Sequence, residues 1–355
     1  METSFRLAMV AIGVIGLVLY FRSIIRLMLL NRNERNFVEE MARAATVTFI
    51  HSFARKGDTY EHIQRIQAWA APIFLFVAIA TWFLLVQFSF SLILWGLYLE
   101  VSWPRAFSSS GSALSTLGYL TPPTLLGEYL ATYEAAIGLV IVAQLFTFIP
   151  GYQAAVQVRE RKVGWLYARA GQYSTCIGLL QVLKKQGRID DPTVWEDWEG
   201  WFRGIYETHS IAPILAYVPS VYRSTSWVGT SAAVLDATSL ILSSLDPKMT
   251  EAARLCRETG ILTVNLVASE IGRGSGRRGR QRHYTEEVSI ADFDRLYDIM
   301  VDIGLPMRTD RDGCRSRFSA LRNEYAGGLR SLSESTLMPA DLPWDMGERG
   351  VSKGT

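Results

Sequence analysis

The chain has 355 residues, 49% of them hydrophobic and 20% charged, and this length can hold a membrane part and at least one soluble domain. A net charge of +2 excludes no partner by itself, because the sign that matters is local. A zinc centre is excluded by pattern. The four histidines (His51, His62, His209, His283) form no cluster, and Cys176, Cys256 and Cys314 stand far apart with no ligand spacing, as buried reduced thiols would.

Nearly all the long apolar runs lie in residues 1–158. The first covers 5–30, with an uncharged core at 7–21. Its amino end carries Arg6 offset by Glu2, and no small-x-small pattern follows the core, so it is predicted as a retained helix and not a cleaved leader. Arg22 and Arg26 lie where their stems can reach the headgroups. Between Arg65 and Glu100 lie 34 residues without a charge, more than the roughly 20 that span a bilayer, with Pro72 as a candidate bend. A further charge-free run covers 135–158. Basic residues cluster between the first two runs (Arg32, Arg35, Arg43, Arg55, Lys56) and after the third (Arg159, Arg161, Lys162, Arg169), while 100–128 holds Arg105 alone. The excess of positive charge predicts a multi-pass protein of the cell membrane, with its amino end outside and its carboxyl half cytosolic.

The outer linker is the informative stretch. Ser102 followed by Pro104 predicts a helix start, small and hydroxyl residues continue to Ser115, and Thr116-Leu117-Gly118-Tyr119 follows. A short helix and an extended strand between two spans is a layout in which backbone carbonyls can replace the hydration of an ion.

On these residues the stretch 69–158 resembles the pore module of the potassium-channel family, whose filter reads Thr-Val/Ile-Gly-Tyr/Phe-Gly-Asp. The resemblance implies an all-α membrane protein: an N-terminal transmembrane helix, then an outer helix–pore helix–filter–inner helix module, then a helical cytosolic domain. It implies a filter at Thr116, Leu117, Gly118, Tyr119 and Leu120, with K+ at the backbone carbonyls of the first four, and a homotetramer, because four filters ring one ion. Gly138, Phe146, Pro150 and Gly151 fall where the family places a gating hinge or constriction. Gly138 can equally serve close helix packing, and Phe146 can face lipid. Leu120 and Thr121 stand where the family has glycine and aspartate. A leucine adopts glycine's backbone angles only at a cost, so the outermost ion site is expected to be altered. That leaves open a potassium-selective pore, a weakly selective or non-selective cation pore, and a pore that has lost conduction. Glu134, one turn before Gly138, is expected to be partly wet or paired with Arg105.

The chain divides by pattern into 1–66 (first span and connector), 67–158 (pore module), 159–272 (cytosolic helical domain), 273–288 (basic linker) and 289–355 (last helices and a tail, disordered beyond about Ser333). Asp191-Pro192 opens a helix with Trp195, Trp198, Phe202, Ile205 and His209 on one face, which makes His209 a core histidine. The stretch 198–236 resembles a soluble region behind such pores in bacterial channel-like proteins. Residues 224–245, with Asp236 central, read as a buried helix and not a fourth span, and Asp246-Pro247 starts another. Arg273, Arg277, Arg278, Arg280 and Arg282 form a basic linker for solvent or anionic lipid headgroups, with no module for nucleic acid. Ser289 and Asp292 cap a helix stopped by Gly304, and Cys314, Phe318, Leu321, Tyr325 and Leu329 form a last stripe.

The functional expectation is a tetrameric cation channel gated or assembled by its cytosolic domain. The competing expectation is a non-conducting membrane scaffold or sensor that keeps the channel architecture. No phosphate loop, nucleophile–base pair or paired carboxylates suggest an enzyme, and no cofactor is expected beyond permeant K+.

Overall fold

A computed structural model describes residues 2–28, 36–55, 57–171, 175–245, 251–274 and 288–339. Among them the fold is all-helical, and the one extended pairing is an isolated bridge between Leu245 and Met307. Three helices are long and apolar enough to cross a membrane, as expected for a membrane protein. The chain forms two compact units: Met1–Phe49 with Ala71–Gln153, and Ile50–Ala70 with Ala154–Thr355.

The first unit holds α1 (Glu2–Met28), most of α2 (Phe37–Phe53), α4 (Ala70–Gly96), α5 (Trp103–Leu114) and the first part of α6 (Leu125–Ala170); α3 (Tyr60–Gln67) precedes α4. The charge-free run therefore breaks at Ala68–Trp69. Pro72 sits in the first turn of α4, where its missing N–H costs nothing. A narrow buried stripe on α1, Gly13, Gly16, Tyr20 and Ser23, packs on α4. A Cβ at Gly13 would lie 2.6 Å from the Ser89 carbonyl oxygen, and one at Gly96 would lie 2.9 Å from that of Arg6. Bare backbone thus sets the spacing of this seam. Polar contacts close its two ends: the Arg6 guanidinium donates to the Trp95 carbonyl at 2.8 Å, and Trp82 Nε1 donates to Ser23 Oγ at 3.0 Å.

The second unit is a helical bundle: α7 (Cys176–Lys185), α8 (Pro192–Ile211), a 3-10 turn over Pro213–Tyr217, α9 (Trp227–Ser244), α10 (Glu251–Gly274), α11 (Ile290–Asp302), α12 (Arg311–Asn323) and α13 (Ala326–Thr336). Its helix starts follow the expected caps. Asp191 accepts from Thr193 N at 3.0 Å, and Ser289 accepts from Asp292 N at 3.1 Å. α9 is the buried centre of the bundle, not a span. Its one charge, Asp236, is 1% exposed and faces Arg322 Nε at 3.2 Å and the Tyr325 hydroxyl at 2.7 Å. All three cysteines are buried and free, and burial holds the Cys176 and Cys256 thiols above their usual range.

Two polar anchors organise the loop at 218–226. Arg159, 2% exposed, donates to the carbonyls of Leu215 and Val218, both at 2.9 Å, and faces the Glu160 carboxylate at 2.9 Å. From α3, Gln64 Nε2 lies 3.0 Å from the Tyr222 carbonyl and 3.2 Å from that of Thr225, while its Oε1 accepts from Ser224 N at 3.3 Å. Close packing adds to this grip, because a Cβ on Gly164 would meet the Tyr222 hydroxyl.

Two expectations need correction. The last apolar stripe is carried on two helices, because the chain turns at Tyr325, whose hydroxyl is drawn to Asp236. The segment beyond Ser333 is ordered as far as the described residues reach: α13 continues to Thr336, and Met338 is fully buried. Apolar burial, which composition alone did not reveal, holds it. The helix start at Asp246-Pro247 and four of the linker arginines, Arg277, Arg278, Arg280 and Arg282, lie outside the described residues.

Asp236→Ala would leave the Arg322 guanidinium buried without its carboxylate. Chemical denaturation of the protein in detergent, followed by tryptophan fluorescence, should show a loss of about 3–5 kcal/mol. His209 offers a pH test. It is 2% exposed, with Nδ1 3.0 Å from the Ile205 carbonyl, and burial, with Arg159 nearby, lowers its pKa from 6.5 to about 3. In that window the unfolded chain binds the proton and the folded chain does not. His209 therefore contributes stability above pH 6.5 that is lost as pH falls toward 3. His209→Gln should flatten the acid limb of the melting-temperature profile over that range.

Candidate functional site

The site is built on α5. Ser102 caps it in an extended conformation, and Pro104 occupies the first turn. Its amino half is fixed to α4 by packed aromatics: Phe88 lies 5.2 Å from Phe107, tilted, and stacks on Trp103 at 6.3 Å, and Trp95 meets Trp103 edge-on at 6.2 Å. Gln87 Nε2 donates to the Phe107 carbonyl at 3.2 Å, and Gly111 leaves room for the Gln87 amide. At the other end, Gly138 of α6 lets the Leu114 carbonyl come so close that a Cβ there would lie 2.0 Å from its oxygen. The close-packing role expected of Gly138 is thus visible in the geometry.

From this end the chain runs through residues 115–120 without forming a strand. Its amide hydrogens turn back into α5. Thr116 N donates to the Ala113 carbonyl at 2.8 Å, and both Leu117 N and Gly118 N donate to the Ser112 carbonyl at 3.1 Å. Leu120 N donates to Ser112 Oγ at 2.9 Å. Among the described residues, nothing donates to the carbonyls of Thr116, Leu117, Gly118 or Tyr119. The segment is exposed, with Leu117 and Tyr119 both more than 70% accessible. The α5 macrodipole adds partial negative charge at its carboxyl end, directly before these carbonyls. Chemically, the arrangement is a run of free acceptors beside a negative helix end, suited to a cation or to water.

The backbone places its strain where composition did not suggest. Thr116 has φ 63°, a conformation that costs a β-branched residue roughly 1–2 kcal/mol, and Gly118 has φ 64°. Leu120, where strain was expected, is not among the residues with positive φ. Its amide is held by Ser112, and this leucine carries no left-handed cost.

The other expected positions lie on α6, which continues unbroken through Pro150 to Ala170. Phe146 is 77% exposed, and nothing stands within 4 Å of a Cβ built on Gly151. Beside them, Phe148 stacks between Phe74 and Tyr152, each at 6.2 Å. The expectation for Glu134 is corrected. It is fully buried and bonded to the Ser110 hydroxyl, and Arg105 pairs instead with Glu100 at 3.2 Å, within the stretch between α4 and α6. Sequence reasoning also missed Ser110 and Ser112, which lie in the run 108–112 with no spacing to single them out. Their place in the last turns of a short helix that ends at the acceptor segment was the available signal. Among the described residues, no group of three His, Cys, Asp or Glu could hold a metal ion.

Comparison with family models, curated proteins and solved structures gives no match to this chain.

Gly138→Ala places a methyl group against the Leu114 carbonyl. Thermal unfolding in detergent should show a loss of about 1–3 kcal/mol despite alanine's better helix propensity, because the obstacle is backbone and cannot rotate away.

Proposed function

We propose that the protein is a cation channel of the potassium-channel type. In this reading it assembles as a homotetramer in the cell membrane, with the amino end outside and the bundle cytosolic. The observation that carries the reading is the segment 115–120, where amides are tied into α5 and the carbonyls of Thr116, Leu117, Gly118 and Tyr119 are left free. Water bonds such carbonyls in solution, but inside a bilayer irregular backbone persists only where it lines a cavity or is buried in protein. Free carbonyls aimed into a pore replace the hydration shell of a permeant ion. One chain supplies one such segment, so a ring needs further copies. In this scheme the exposed positions of α6, among them Phe146 and Leu139, face a neighbouring subunit, the pore or lipid. Gating by the cytosolic bundle is supported by α6 itself, a single helix from Leu125 to Ala170 with Arg159 anchored among bundle carbonyls.

The competing reading is a non-conducting membrane scaffold or sensor that keeps the channel architecture; the free carbonyls of 116–119 support the channel instead.

Reversal potential in planar bilayers, with potassium on one side and sodium on the other, tests the reading. A shift toward the potassium equilibrium value is expected for selective carbonyl sites, and current that reverses near zero would mean a weakly selective pore. Absence of current in both the intact chain and one lacking residues 172–355 would overturn the channel.

A further inference from the structure

Glu134 lies in the contact between α6 and α5, is fully buried, and carries an oxygen, Oε2, with no hydrogen-bond partner among the described residues. Burying a carboxylate in the apolar part of a membrane is costly, so the residue calls for a physical account. The contact has two rungs. Ser110 meets Glu134, and Leu114 meets Gly138. The members of each rung lie four residues from those of the other on both helices. The two helices therefore run alongside each other in the same sense for one turn.

The rungs differ in kind. At Gly138 the approach is steric and smooth, since a glycine offers no directional stop along the axis. At Glu134 the contact is a hydrogen bond, which depends on direction and distance. Only the second resists sliding. An axial slip by one residue would move the end of α5 by about 1.5 Å, and every amide of 116–120 that hangs on Ser112 and Ala113 would follow. A functional constellation tolerates about 0.5 Å.

Proton counting bears on the chemical form of the acid. Ser110 has one hydroxyl hydrogen, yet its Oγ contacts two acceptors, the Gln87 carbonyl at 3.0 Å and Glu134 Oε1. Two separate two-centre hydrogen bonds need a second hydrogen, which a protonated Glu134 supplies by donating to Ser110 Oγ; otherwise the single hydroxyl hydrogen is shared between both acceptors. The outer-linker cation that could have paired with an ionised form, Arg105, is engaged by Glu100.

We infer that Glu134 is a positioning residue for the carbonyl segment, a neutral acid that pins the axial register of α5 on α6 through Ser110. The inference rests on the channel reading for its functional meaning, but not for its structural content. Glutamine at 134 reproduces a neutral side chain that can donate to Ser110; alanine at 134, or at 110, removes the pin.

The test compares Glu134→Gln, Glu134→Ala and Ser110→Ala in the full-length protein in lipid nanodiscs. Hydrogen exchange at Thr116, Leu117 and Gly118 is read against α1 and α4 as internal controls, with the potassium/sodium permeability ratio as a second readout. Both alanine variants should speed exchange at 116–118 by about tenfold with the controls unmoved, while the glutamine variant stays within about twofold of the parent. The permeability ratio should fall in the same order. Exchange that is unchanged in Ser110→Ala, or that rises equally in α1 and α4, would overturn the inference. So would a glutamine variant as disturbed as the alanine ones, since charge would then be what matters. If the exchange order holds while no variant and no parent passes current, the channel reading fails and the register pin stands. Current with a flat exchange pattern would remove the pin alone.

Discussion

A backbone that leaves helical geometry must find new partners for its amide hydrogens, and the turn after α5 finds them within the protein. Ser112 alone receives Leu117 N and Gly118 N on its carbonyl and Leu120 N on its hydroxyl. Because the donors are satisfied on one side, the carbonyls are released on the other. The positive φ of Thr116 and Gly118 accompanies this reversal of the chain. Everything around the turn holds α5 still: the packed aromatics on α4, the Gln87 amide, the bare backbone at Gly138 and the acid at position 134.

The helical bundle meets a related demand by different means. Its central helix, α9, carries hydroxyls and one carboxylate in a fully buried setting, and each needs a partner. Asp236 gathers Arg322 and Tyr325 from the end of α12 and the turn after it, so the break between the last two helices and the burial of the carboxylate are one arrangement. Arg159 plays the equivalent part at the other side of the bundle, where it gathers carbonyls from the 3-10 turn and the residue after it. A buried charge of this kind contributes little net stability over a well-packed apolar pair, but its loss is severe, and it specifies which segments meet.

What the sequence made legible was what is written locally. The caps at Ser102, Asp191 and Ser289 and the apolar face carrying His209 were all readable from neighbours within a turn or two. So was the preference for a buried helix over a span at 227–244, because a central aspartate with many hydroxyls disfavours lipid. The candidate segment 115–120 was legible as residue types, but its geometry was not. Strain fell on Thr116 and not Leu120, in a turn whose amides bond to Ala113 and Ser112 against the residue preference of Thr116. Glu134 with Ser110, and Gln64 with the loop at 218–226, join residues far apart in sequence, and no periodicity announces such pairs. The order at 333–339 was missed for the same reason, since Met338 is buried by segments that composition does not name.

The seam between α1 and α4 bears on how the protein is made. Synthesis runs from the amino end, so α1 is complete before α4 is. Until then the Gly13–Gly16 face shows bare peptide to its surroundings, and Ser23 lacks the indole that later donates to it. A helix in that state is an unfinished half of a pair, and α4 completes it by supplying Ser89, Trp82 and Gly96. The pair can close only once both halves exist, and a side chain in place of Gly13 or Gly16 would leave α1 with a face that α4 cannot meet.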